Sequence, residues 1–205
     1  MAKRIDGKGI AAELRAQLEV CIGERAQAGL RVPGLVTILV GEDPASKVYV
    51  ARKQREAREV GMISESVALA ADVSLAELLE VVQRYNRRED IDGVLVQMPL
   101  PRHLDSDAVI SAIDPAKDVD GLHPLNQGAL FTGREGVRPC TPVSCLRLID
   151  STGVDPHGLH AVVVGRSALV AKPVAMLLLE RDATVVLCHS RTADLPAQVA
   201  AADIL

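Results

Sequence analysis

Leu35-Val36-Thr37-Ile38-Leu39-Val40-Gly41 is the stretch on which the fold turns. It is a short apolar run with a β-branched bias, entered through the turn residues Pro33-Gly34 and stopped by a glycine, and that pattern predicts a buried strand. Ser46 lies where it can cap a following helix running to about Gly61, which completes a β-α unit. Upstream, Ile10, Leu14, Leu18 and Ile22 recur every fourth residue and mark the buried stripe of a helix ending near Gly29. Downstream the unit repeats: Ile63 to Leu69 reads as a strand, and Ser74 with Glu77 as a capping box ahead of Leu75, Leu78, Leu79 and Val82. Gly93 to Met98 reads as another strand. Strict alternation implies a mostly parallel sheet covered by helices on both faces, with ligands held beyond the carboxyl ends of the strands, here Gly41 onward and Gln97 onward.

Further along, Asp105 to Ile113 predicts a short helix, and the Gly-, Asp- and Pro-rich region from Asp114 to Pro139 predicts long loops. Thr141-Pro142 is a cap with proline at the first helical position, opening a helix that ends near Gly153. His160 to Val164 as strand, Gly165-Arg166-Ser167 as turn, a helix from Lys172-Pro173 through Leu179 and a strand from Val185 to Cys188 form a β-α-β nucleotide-binding half. A helix over Leu195 to Ala201 follows, and 202–205 reads as the start of a third strand. The expected fold class is α/β in two domains. Residues 1–140 form a three-layer domain with a parallel sheet, and 141–205 an incomplete Rossmann-like nucleotide-binding domain.

Composition narrows the partners. With 205 residues the chain can bury a real core, and Tyr 2, Phe 1 and Trp 0 make that core aliphatic. Lys+Arg 23 against Asp+Glu 27 gives a net charge of −4, without the cationic excess that neutralises a nucleic-acid backbone, so no nucleic-acid partner is expected. No stretch is apolar for long enough to span a bilayer and no signal-peptide core is present, so neither a membrane partner nor export is expected, and the expected location is the cytoplasm. Cys21, Cys140, Cys145 and Cys188 form no C-x-x-C pair, so reduced thiols and no metal are expected.

Several residues can carry chemistry. Tyr49 and Lys53, four apart on one helix face, can meet at a strand's carboxyl end; the same spacing also describes a snorkelling lysine beside a half-buried tyrosine. In Val96-Gln97-Met98-Pro99-Leu100-Pro101 one amide ends an apolar strand, where Gln97 either orients Lys53, binds a ligand or is satisfied by loop backbone. Asp118 and Asp120 lie in a tight turn and either receive a ligand's N–H groups or make Asx-turns. Gly165-Arg166-Ser167 with Ala171 is a partial dinucleotide fingerprint. His189-Ser190-Arg191-Thr192 stands where an NAD enzyme carries an acid for the ribose hydroxyls. A cation with hydroxyls there suits a ribose phosphate and favours NADP, unless Arg191 is simply solvated.

Taken together, residues 40–46 with Tyr49 and Lys53, then 96–101, 117–121, 139–142, 165–167 and 188–192 resemble the bifunctional methylenetetrahydrofolate dehydrogenase/cyclohydrolase family. The resemblance implies oxidation of methylenetetrahydrofolate with NADP, then hydrolysis of the methenyl product to formyltetrahydrofolate, in one-carbon metabolism. It implies that Lys53 moves protons, Tyr49 positions it and the folate, Gln97 sets its orientation and protonation, and Asp120 anchors the pterin. Val96, Met98, Pro99 and Leu100 would line the folate site; Gly165, Arg166, Ser167, Ser190 and Arg191 would hold NADP; tetrahydrofolate derivatives are the partners and a homodimer the assembly. Ala171 and Ser144 stand where the family usually has glycine. The family's chains run on past this point, so a C-terminal truncation is expected from the resemblance, with a non-catalytic fragment that keeps folate binding or dimerisation as the alternative. A hydroxy-acid oxidoreductase would need an Arg fork for the substrate carboxylate, and none is clustered at the first domain's strand ends.

Overall fold

A computed structural model describes Ala2 and residues 4–205. The chain forms two compact units, Ala11–Val119 and Asp120–Leu205, the latter joined by the segment ending at Ile10. Thirteen elements follow in order: α1 (Gly7–Gln27), β1 (Gly34–Val40), α2 (Pro44–Glu59), β2 (Ile63–Leu69), α3 (Leu75–Asn86), β3 (Gly93–Val96) and α4 (Ser106–Ala112). Then come α5 (Pro124–Phe131), α6 (Cys140–Asp150), β4 (His160–Val164), α7 (Ala171–Leu179), β5 (Thr184–Cys188) and α8 (Leu195–Ala200).

In the Ala11–Val119 unit the strands are parallel in the order β2-β1-β3, with Gly34 level with Ile63 and Leu35 with Gly93. Asp118 bridges Val94 in parallel, so the chain just before residue 120 runs along β3's outer edge. Alternate residues of the central strand serve opposite faces. Val36, Ile38 and Val40 enter the main core with Leu78, Val82 and Tyr85 of α3 and Val109 of α4, while Thr37 and Leu39 are buried on the α2 side. Each such aliphatic side chain, fully buried, contributes about 1.5–3 kcal/mol, which makes this strand the unit's anchor. Helices on both faces of a parallel sheet give the three layers expected.

In the second unit β4 pairs in parallel with β5, and Ala161 of β4 bridges Ile204 on its other side. Leu130, Leu146, Ala161, Leu177, Leu178 and Ala183 form its separate core. Ile204 takes the position of the third strand anticipated at 202–205. Both units therefore wind the same way, a first strand flanked by the second and third.

Five local readings are corrected. The α1 stripe is not buried along its length: Ile22 is 7% exposed, but Leu14 and Leu18 are 37% and 44% exposed. The cap of α2 is Asp43, whose carboxylate accepts from Ser46 N at 2.7 Å with Pro44 in the first turn, so Ser46 is a donor inside the helix. The strand expected to reach Met98 stops at Val96. The region 114–139 is not all loop. His123 Nδ1 accepts from Leu125 N at 3.1 Å and caps α5, a short helix hidden by its proline and glycine content. The α6 helix begins at Cys140, with Pro139 rather than Thr141 at the cap position and no side-chain cap bond.

Candidate active site

In the Ala11–Val119 unit the switch point of the winding lies between β1 and β3, where helices leave for opposite faces and open a crevice beyond the strand ends. Two structural features shape its rim. Gly41, at φ +83, turns the chain off β1, a conformation costly for any residue with a Cβ, and its N–H donates to Leu69 O at 2.9 Å. At β3, Gln97 N donates to Ile38 O at 2.8 Å, and the Met98–Pro99 peptide that follows is cis.

Lys53 lies on α2, on the helical face shared with buried Val50 and Ala57, and is itself half-buried. Its Nζ donates to Gln97 Oε1 at 3.3 Å, while Gln97 Nε2 donates to Met98 O at 2.7 Å. The Gln97 amide is thereby fixed in orientation: with its nitrogen spent on the loop, its oxygen faces the amine. Gln97 thus bonds both Lys53 and the loop backbone. Tyr49, one turn before Lys53, is 60% exposed, and among the described residues its hydroxyl has no hydrogen bond to the lysine.

Val96 is 4% exposed with its side chain in the core facing α3, so it offers the crevice only main chain. Met98 and Leu100 are half-buried and Pro99 is exposed. Asp118, buried at 1% exposure, holds the strand edge leading to half-buried Asp120, the first residue of the other unit. Lys117, which spacing did not single out, donates from Nζ to Arg88 O at 2.6 Å and Tyr85 O at 3.4 Å and so ties this edge to the end of α3. Long-range capping of this kind leaves no local pattern to read.

In the second unit, Gly165 follows β4 with its N–H on Cys188 O at 2.8 Å, and a Cβ there would lie 3.1 Å from the Ala171 methyl. Glycine at 165 is what admits alanine at 171. Arg166 and Ser167 are exposed. Ser167 Oγ accepts from Val170 N and Ala171 N, both at 3.2 Å, and Ser167 O accepts from Lys172 N at 3.1 Å. Three amides of the α7 entry are thus satisfied by one serine, which leaves its O–H as a donor and the 166–169 loop, rather than the helix end, to meet a phosphate. Ser190 and Arg191 stand exposed past the end of β5. Among the described residues no group of three His, Cys, Asp or Glu side chains could hold a metal ion, and no helix is long and apolar enough to cross a membrane.

A doubly wound α/β chain with a lysine-amide pair at one switch point and a glycine turn at the other has the layout of α/β enzymes that hold their ligands beyond the strand ends. Residues 5–120 match the tetrahydrofolate dehydrogenase/cyclohydrolase catalytic-domain family, and residues 139–205 that family's NAD(P)-binding domain. The chain belongs to the tetrahydrofolate dehydrogenase/cyclohydrolase family. It is 51% identical over 207 residues to the bifunctional protein FolD of Halothermothrix orenii, covering 100% of this chain and 73% of that protein. Among solved structures, the bifunctional methylenetetrahydrofolate dehydrogenase/cyclohydrolase of Campylobacter jejuni superposes with a TM-score of 0.94 at 37% identity, covering 97% of this chain and 71% of that one. The Trypanosoma brucei enzyme, complexed with NADP cofactor and inhibitor, gives 0.93 at 37% identity, covering 98% and 70%.

Proposed function

We propose that this chain oxidises methylenetetrahydrofolate to methenyltetrahydrofolate with NADP and then hydrolyses that product to formyltetrahydrofolate. The observation that carries the reading is the 3.3 Å bond from Lys53 Nζ to Gln97 Oε1 at the switch-point crevice of a chain of this family. Lys53 acts as the proton carrier: as a neutral amine it takes a proton from the water that attacks the methenyl carbon and returns one to the ring nitrogen that leaves. Gln97 holds the amine in place, the exposed Tyr49 ring one turn before it positions the folate, and the Asp120 carboxylate accepts the pterin's N–H groups. Met98, Pro99, Leu100 and the main chain of Val96 form the crevice wall.

The second unit's residues fit the cofactor, since Gly165 keeps the turn after β4 free of a side chain that would crowd Ala171, and Arg166, Ser167, Ser190 and Arg191 present donors of the kind phosphates need. Gly165, Arg166 and Ser167 would hold its pyrophosphate, and Ser190 and Arg191 its ribose phosphate. When bound, NADP supplies the hydride acceptor for the first reaction. We assign folate binding and catalysis to residues 1–140 and part of the NADP site to 141–205. The working form is a cytoplasmic homodimer that engages neither nucleic acid nor membrane, in keeping with a net charge of −4.

Lys53→Met tests the central role. Cyclohydrolase turnover is expected to fall at least about 100-fold while NADP binding, followed by titration calorimetry, is retained. Turnover at the unaltered rate would remove Lys53 from the proton path.

A further inference from the structure

We infer that His189 and Thr192 are positioning residues that set this chain's preference for a 2′-phosphorylated adenine nucleotide, by holding the turn from which Ser190 and Arg191 present their donors. The inference rests on the cofactor reading above. β5 ends at Cys188, which is fully buried, and the next four residues close on themselves. His189 N donates to Thr192 Oγ1 at 2.8 Å, Thr192 N returns a bond to His189 O at 2.9 Å, and Arg191 N donates to His189 Nδ1 at 3.1 Å. An imidazole nitrogen that accepts cannot carry a proton, so the ring's proton sits on Nε2 while the turn is closed.

His189 Nδ1 and Thr192 Oγ1 are spent as acceptors on the turn. The polar side-chain groups of Ser190 and Arg191 are not: both side chains are exposed, and among the described residues neither the Ser190 hydroxyl nor the Arg191 guanidinium has a protein partner. The next carboxylate in sequence, Asp194, accepts from Ala197 N at 3.2 Å and caps α8. In a β-α-β nucleotide half the end of the second strand meets the adenosine ribose, so a closed turn here holds an arginine and a hydroxyl ready for a phosphate on that ribose. Ordering these donors beforehand removes a cost that a floppy loop would incur on binding. That gain applies only to ligands bearing the 2′-phosphate, which makes the turn a determinant of NADP over NAD.

Titration calorimetry with adenosine 2′,5′-bisphosphate and with 5′-AMP separates the two ligand classes without any turnover. His189→Ala and Thr192→Val are each expected to weaken the bisphosphate about tenfold and leave 5′-AMP unchanged. His189→Asn, whose Oδ1 can take the Arg191 amide, is expected to recover affinity to within about threefold. Circular dichroism and Tm confirm that each variant is folded. An unchanged bisphosphate affinity in His189→Ala, an equal loss of both nucleotides, or no recovery in His189→Asn would overturn the inference. Arg191→Ala distinguishes this failure from failure of the cofactor reading. A loss in Arg191→Ala with none in His189→Ala defeats only the positioning role; no loss in Arg191→Ala, or an unaltered chain that does not favour the bisphosphate, defeats the ribose-phosphate site and this inference with it.

Discussion

Thr37 occupies the middle of β1 at 0% exposure, and among the described residues its buried Oγ1 has no hydrogen-bond partner. A hydroxyl in that state has given up water for nothing, at a cost of about 1–3 kcal/mol. Thr37→Val keeps the shape and discards the orphan, so thermal unfolding should move upward, by several degrees for a gain of about 1 kcal/mol. A lower Tm would mean that something internal satisfies the oxygen. At this scale the chemistry was legible in part. The spacing of Tyr49 and Lys53 and the lone amide Gln97 could be read as candidates, and Lys53 and Gln97 do meet. Tyr49 standing 60% exposed could not be read, because residues four apart share a helix face without sharing its burial.

Ser74 accepts from Glu77 N at 3.3 Å while the Glu77 carboxylate accepts from Ser74 N at 2.9 Å, a reciprocal cap at the start of α3. The Ser74 hydroxyl also bonds that carboxylate and, as the largest cause, holds its pKa below the usual range. Because α3 carries Leu78, Val82 and Tyr85 into the core, fraying of its first turn is felt in the whole layer. Ser74→Ala should cost about 1 kcal/mol and lower the Tm of this unit by about 4–8 °C in a calorimetric scan; a change under a degree would show the cap to be idle. This cap was readable because Ser and Glu three apart precede a clean apolar period. α5 was not, because its signals are a histidine cap, a proline and an internal glycine, which mark loops more often than helices. β3's end was misplaced for a related reason: apolar character continues past Val96, while the backbone departs at Gln97 to deliver the amide. The α1 stripe shows the limit of periodicity, which marks a face as apolar without saying what covers it.

For the whole molecule, acid is the sharpest lever. Arg31 grips Asp92 through two hydrogen bonds, at 2.6 and 2.7 Å, and Gly34 N adds a third at 2.8 Å, tying the chain ahead of β1 to the start of β3. The Asp92 carboxyl is held down at about 2, chiefly by the Arg31 hydrogen bonds. Glu65 and Asp90 are lowered in the same way, each first by hydrogen bonds from Arg88. Lowered carboxyls stabilise the native state above their unfolded pKa of about 4, and that contribution fades as pH drops toward the folded value. Urea unfolding followed from pH 7 to pH 2 should therefore show Asp92→Asn to be less stable at neutrality and to lose less below about pH 4; parallel profiles would refute the linkage. Parallel sheets and helices on both faces were legible because strands and helices alternate within each unit, whereas the Arg31–Asp92 grip joins residues some sixty apart and leaves no trace in any local window. One further consequence comes from the scarcity of rings. With Trp 0 and Tyr 2, tyrosine emission has two sources, Tyr85, shielded in the core with its phenol on Glu65, and Tyr49, open to solvent one turn from Lys53. The molecule thus carries a built-in optical reporter: a pterin settling on Tyr49 would quench one lamp and leave the other burning, so occupancy can be followed by fluorescence with no label attached.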